Sequence, residues 1–181
     1  MKQKTSILWI TRTAVFIALL IVFQVAAGSF GNVIITGSVV NLLLIVSVMT
    51  SGPSSGITVA VISPAVARFL GIGPLWSLIP FIAAGNVTLV SVWHLIGRKH
   101  MKSPYASYAA ASICAAVAKF LVLYIGIVRI AVPVFLHLPE PQAAVISGMF
   151  SVPQLATALI GGFLALLLLP GLKKSLGRSV N

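Results

Sequence analysis

The sequence predicts an all-α membrane protein of six transmembrane helices, one domain over residues 1–181 with both termini cytoplasmic. Three observations carry that expectation. Hydrophobic residues make up 59% of the chain and charged residues only 7%, where an ordinary soluble domain carries about 25% charge. Glycine and proline cut the sequence into apolar runs, several close to the ~20 residues that cross a bilayer as a helix. The net charge of +11, with Glu140 as the only acid, comes from Lys and Arg placed mainly between the runs. That placement marks membrane topology rather than nucleic-acid binding.

Taken in order, residues 13–27 form the first span, preceded by Lys2, Lys4 and Arg12, with Trp9 at interfacial depth. Val25-Ala26-Ala27 resembles a signal-cleavage site, but the spans that follow favour a retained helix. Residues 28–38 read as a partly apolar loop with glycine hinges, and 35–50 as the second span, containing Asn41. TSGPSSG is an uncharged turn. The third span, 57–70, is short, bent by Pro64, and carries Arg68 near its end. Gly71-Ile72-Gly73-Pro74 turns the chain, with Pro74 suited to a first helical position. The fourth span, 75–96, has Trp76 and Trp93 placed for interfacial belts, with Pro80 and Asn86 inside it. A basic loop, 97–103, leads to the fifth span, 103–127, whose first half is rich in Ala and Ser, residues that let helices approach closely. Into this helix the sequence puts one cation, Lys119. Residues 129–144 read as the longest connection. The sixth span, 146–169, ends at Pro170-Gly171 before Lys173, Lys174 and Arg178.

With six spans, Lys2, Lys4, Arg12, Arg98, Lys99, Lys102, Lys173, Lys174 and Arg178 share one side, which the positive-inside rule makes cytoplasmic. Arg68, Lys119 and Arg129 fall instead in the outer half, in one layer with Gln24, Asn41 and Gln154, while Asn86 lies near mid-membrane. Apolar walls with a few placed polar groups are the pattern of a small-molecule site. The candidate substrate-binding residues are Lys119, Arg68, Asn41, Asn86, Gln24 and Gln154. Arg68 and Arg129 also fit as side chains snorkelling to headgroups, and the amides as interhelical glue. Lys119, about two turns inside its span, resists the bland reading, because an intramembrane ammonium is costly. No acid within the spans neutralises it, so a bound anion is the simplest counter-ion. Glu140 reads as a solvated loop residue able to pair with Arg129.

The same composition narrows the chemistry. The lone Cys114 offers no disulfide framework or cysteine metal site. There is no carboxylate or His cluster for metal-assisted hydrolysis, and no Gly-rich phosphate loop for ATP. Neither an enzyme nor a cofactor is expected, and uphill transport requires energy from another subunit.

The first span contains Ala14-Val-Phe-Ile-Ala18, an A-x-x-x-A pattern. With that pattern, this length and this architecture, the chain resembles the substrate-binding S components of energy-coupling factor (ECF) vitamin transporters, in the riboflavin, folate and pantothenate group. The runs GSVVNLLLIVSVMTSGPSSG and GIGPLWSLIPFIAAGN share the family's general look. The resemblance implies a subunit of the prokaryotic plasma membrane that binds a vitamin or related micronutrient near the outer face and then topples to release it inside. It implies that Ala14 and Ala18 dock on a transmembrane coupling subunit driven by two ABC-type ATPases, and that residues 28–38 act as a lid. An anionic substrate points to pantothenate or a folate rather than thiamine. The residues alone also leave open a self-sufficient small transporter or channel, or an assembly subunit in which Lys119 pairs with another chain's carboxylate.

Overall fold

Helix dominates the computed structural model, which describes residues 2–28, 31–71, 73, 75–99 and 103–178, without the side chains of 2–6, 28 and 176–178. The readings of Ile72, Pro74, His100 and Lys102, and of the Lys2, Lys4 and Arg178 side chains, lie outside the described residues. The helices are α1 (Lys2–Gly28), α2 (Val33–Ser51), α3 (Pro53–Phe69), α4 (Ile79–Gly97, entered by a 3-10 turn over Trp76–Leu78), α5 (Pro104–Leu123), α6 (Glu140–Met149) and α7 (Val152–Arg178). A π-helix, Tyr124–Leu136, continues α5 without a break. Ile7–Ala27, Val33–Ser51, Trp76–Gly97, Pro104–Leu136 and Glu140–Ser175 are long and apolar enough to cross a membrane, which makes the chain a multi-pass membrane protein. The 17 residues of α3 reach only about 25 Å at 1.5 Å per residue.

The surface is the inverse of a soluble protein's. Ile113 and Phe163 are each 59% exposed, while Asn41, Asn86, Lys119 and Thr157 are buried. Lipid accepts apolar side chains facing outward, and polar groups must find partners inside. Through α5, each helix packs against the one before it: α1 on α2, α2 on α3, α3 on α4 and α4 on α5. Gly52 alone joins α2 to α3 at φ 92°, a backbone state that favours glycine. Four residues on, a Cβ at Gly56 would meet Val48 Cβ at 2.5 Å, so the two helices leave this turn in close contact. The central packing sets α2 on α7, and α5 on both α4 and α7. A smaller apolar cluster (Leu78, Leu123, Ile127, Ala131 and Phe150) gathers the 3-10 turn, the π-helix and the α6–α7 junction at one end of the bundle.

Several sequence expectations change. Residues 33–38 are not loop: α2 begins at Val33, because the Asn32 side chain accepts from the amides of Ile34 (2.9 Å) and Ile35 (3.3 Å) and so caps the helix. The lid expected at 28–38 loses its second half to that helix. The turn TSGPSSG contracts to Gly52, since Pro53 fits the first helical turn, where its missing N–H costs nothing; Pro80 does the same in α4. The long connection expected at 129–144 is mostly helical. The π-helix carries Pro133 internally and stops where His137 turns left-handed at φ 43°, and α6 follows at Glu140, which is exposed. The sixth span is divided by Phe150 and Ser151 into α6 and α7, and Pro170 lies inside α7 rather than ending it. Trp93 is fully buried rather than interfacial, because α4 turns Asn86, Leu89, Val90, Trp93 and Gly97 inward as one stripe and Trp93 packs near the Tyr108 ring, centroids 6.0 Å apart.

Candidate functional site

One stripe of α2 lays out the site. Val33, Thr36, Gly37, Val40 and Asn41 recur at helical spacing and, with Asn32, line a cavity of about 360 Å³. From Val33 to Asn41 the wall runs for about 12 Å. At its inner end Lys119, from α5, reaches between two amides. Its Nζ donates to Asn41 Oδ1 at 2.6 Å and to Asn86 Oδ1 at 2.8 Å. An ammonium can only donate, so both amides must turn their oxygens to it and their nitrogens away. Asn41 Nδ2 then donates to Thr157 Oγ1 at 3.3 Å, and Asn86 Nδ2 to the Ala60 carbonyl at 3.5 Å. Thr157 Oγ1 in turn donates to the Gln154 carbonyl at 3.1 Å. Four helices (α2, α4, α5 and α7) thus meet in one buried polar chain, with α3 contributing the Ala60 carbonyl.

Close packing holds this chain in place. A Cβ at Gly161 would meet Asn41 Cβ at 2.7 Å and the Ser38 carbonyl at 2.8 Å, and one at Gly37 would meet Thr157 Cγ2 at 2.8 Å. Glycine on each helix therefore lets α2 and α7 approach closely enough for the Asn41–Thr157 bond, the small-residue packing that lipid-embedded helices use.

Of the six predicted site residues, five line the one cavity: Gln24, Asn41, Asn86, Lys119 and Gln154. Gln24 Oε1 is buried and meets no donor. Gln154 Nε2 donates to the Met149 carbonyl at 3.2 Å, tying α7 to the end of α6, where Met149 and Phe150 join the lining. Arg68 stands outside the lining. It reaches the rim only through Nη1, 3.4 Å from the carbonyl of Gly73, which does line the cavity. Arg129 is exposed on the π-helix. Ala14 and Ala18 are also exposed, on a face of α1 turned away from the buried stripe Thr13, Leu20 and Ala27.

The sequence expectation that no acid within the spans neutralises Lys119 stands beside a finding it did not contain: two neutral amide oxygens accept from the ammonium, and one N–H remains for whatever enters the cavity. The reading also missed Thr157, Asn32 and the Met149–Phe150 corner. Thr157 was findable, since it lies one turn after Gln154 on the same face. Asn32 carried the N-cap signal of a polar residue before an apolar run, masked by the glycines around it. No spacing rule exposed the α6–α7 corner. Among the described residues, no group of three or more His, Cys, Asp or Glu could hold a metal ion.

A cavity with apolar walls and a few convergent polar groups suits reversible capture of a small molecule, and its floor offers a cation and amides. Comparison with curated proteins and with solved structures gave no match. A family profile described as "ECF transporter, substrate-specific component" matches residues 9–172. That match covers nearly the whole chain, from Trp9 near the start of α1 to Leu172 in the last part of α7, and on it the protein belongs to the substrate-specific components of ECF transporters.

Proposed function

We propose that the chain is the high-affinity substrate-binding subunit of an ATP-driven importer for an anionic vitamin or related micronutrient, pantothenate-like or folate-like. The observation that carries this is the Lys119 ammonium, set on the floor of a cavity lined by no acid. At about 360 Å³ the cavity lies at the small end of the range for small-molecule sites, which favours the more compact of the two substrates. The substrate's anionic group takes the remaining N–H of Lys119, Gln24 and Gln154 meet its polar outer part, and Met149 and Phe150 close over it.

In this reading α3 is the sixth span, its shortness met by local thinning of the bilayer. The chain ends and the 97–103 loop then lie together in the cytoplasm of a prokaryotic cell, as their Lys and Arg require, and the cavity opens outward. Ala14 and Ala18 dock on the transmembrane coupling subunit, which two ABC-type ATPases drive. The test is native mass spectrometry of the purified chain, followed by uptake into proteoliposomes with and without the partner subunits. A co-purified carboxylate or phosphate, and uptake that needs both ATP and partners, are expected. Flux driven by an ion gradient without partners, or the absence of any small-molecule ligand, would sink the proposal.

A further inference from the structure

A second cavity, of about 440 Å³, lies at the end of the bundle opposite the Lys119 site. Phe16 and Leu19 of α1, Leu43 and Val46 of α2, and Leu168 and Leu172 of α7 supply most of its wall. Along α2 it extends from Leu42 to Thr50, about 12 Å of helix. Its polar members are Arg12, Thr50, Ser51 and Ser175. Every one of them comes from the part of its helix nearest the basic end. The groove is therefore amphipathic along its length, with hydrocarbon-like walls inside and a cation at the rim. Arg12 is exposed, and the chain's single acid, Glu140, belongs to α6 at the other end.

The groove is distinct from the face that carries Ala14 and Ala18. At 100° per residue, the direction shared by Arg12, Phe16 and Leu19 lies about 150° around α1 from that shared by Ala14 and Ala18. The groove and the two alanines therefore occupy separate faces of α1.

A wall of this kind excludes water and accepts an acyl chain, and basic pockets between membrane helices favour anionic headgroups. The planar guanidinium matches phosphate with paired hydrogen bonds. We propose that the groove between α1, α2 and α7 holds one anionic phospholipid, its phosphate on Arg12 and part of an acyl chain between Phe16, Leu43 and Leu168. The proposal stands whatever the Lys119 cavity binds.

The experiment is native mass spectrometry of the detergent-purified chain, equilibrated with equal amounts of phosphatidylglycerol and phosphatidylcholine of matched acyl length. One phosphatidylglycerol should be retained over phosphatidylcholine by about fivefold, the worth of one arginine near a headgroup. Arg12→Gln should equalise the two lipids while keeping one bound. Leu168→Trp, at a half-exposed position (48%) where the larger ring fills the groove without disturbing the core, should release both. No preference in the wild type, or an undiminished preference in Arg12→Gln, would overturn the proposal. So would lipid retention unchanged by Leu168→Trp.

Discussion

Lys119→Met is the substitution that separates a substrate-binding lysine from a structural one. Methionine keeps an apolar stem of similar length and removes the ammonium, so the walls around it stay filled. Two amide oxygens, Asn41 Oδ1 at 2.6 Å and Asn86 Oδ1 at 2.8 Å, lose their donor. A buried acceptor left unsatisfied costs about 1–3 kcal/mol. Both amides line the cavity, however, and water there can replace the ammonium in the empty protein. The loss of fold stability should therefore lie near the low end, about 1–2 kcal/mol in total. Binding behaves differently. A bound anion would lose its only buried cation in a site without other positive groups on its lining, and removing one member of such a pair costs about 2–5 kcal/mol. That is roughly a 30-fold to 5,000-fold rise in Kd. The assay is titration calorimetry of wild type and mutant with pantothenate as probe, and with any carboxylate that co-purifies. Thermal unfolding of the empty proteins runs beside it. A mutant that unfolds within a few degrees of wild type and fails to bind supports the reasoning. Unchanged affinity, or a neutral or cationic ligand, would refute it and leave Lys119 as a strut between Asn41 and Asn86.

Three further outcomes follow from the same geometry. Ala14→Trp or Ala18→Trp should abolish uptake by the assembled importer while leaving substrate affinity of the isolated chain within about twofold, because the exposed face of α1 loses close helix approach; normal uptake by both mutants would remove the docking role. Thr157→Val should weaken binding by about 1 kcal/mol, the worth of one hydrogen bond, by letting the Asn41 amide turn, and Thr157→Ser should restore it; calorimetry on the pair decides whether the hydroxyl or the packing matters. Gly161→Ala should lower stability by about 1–3 kcal/mol through overpacking, since its Cβ meets Asn41 and Ser38, whereas Gly171→Ala, with nothing within 4 Å, should be neutral or gain up to about 1 kcal/mol of helix propensity; equal unfolding temperatures in detergent would contradict the close α2–α7 approach.

What could be read from the sequence, and what could not, follows from the kind of signal each feature leaves. Lipid imposes its rule residue by residue, so the apolar runs, and the polar residues misplaced within them, are visible one at a time. Five such misplacements (Gln24, Asn41, Asn86, Lys119 and Gln154) do converge on a single cavity. Convergence follows because a buried polar group in a bundle has only the interior to turn to. Arg68 did not join them, since a long side chain near a helix end has a second outlet, and its Nη1 found the Gly73 carbonyl. Proline misled where its position within the turn mattered more than its presence. Pro53 and Pro80 start helices, while Pro133 and Pro170 are absorbed inside them. An interior proline removes one hydrogen bond and crowds the carbonyl four residues back, yet a π-helix, bonding five residues apart, has different bonds to lose. The residues that orient Lys119 were hidden for another reason. Thr157 is an unremarkable residue in a long apolar helix, and only the glycines at 37 and 161, by bringing α2 against α7, turn its hydroxyl into the partner of Asn41. The charge at the centre of the site is therefore written in one residue, but its aim is written in the contact between two helices far apart in sequence.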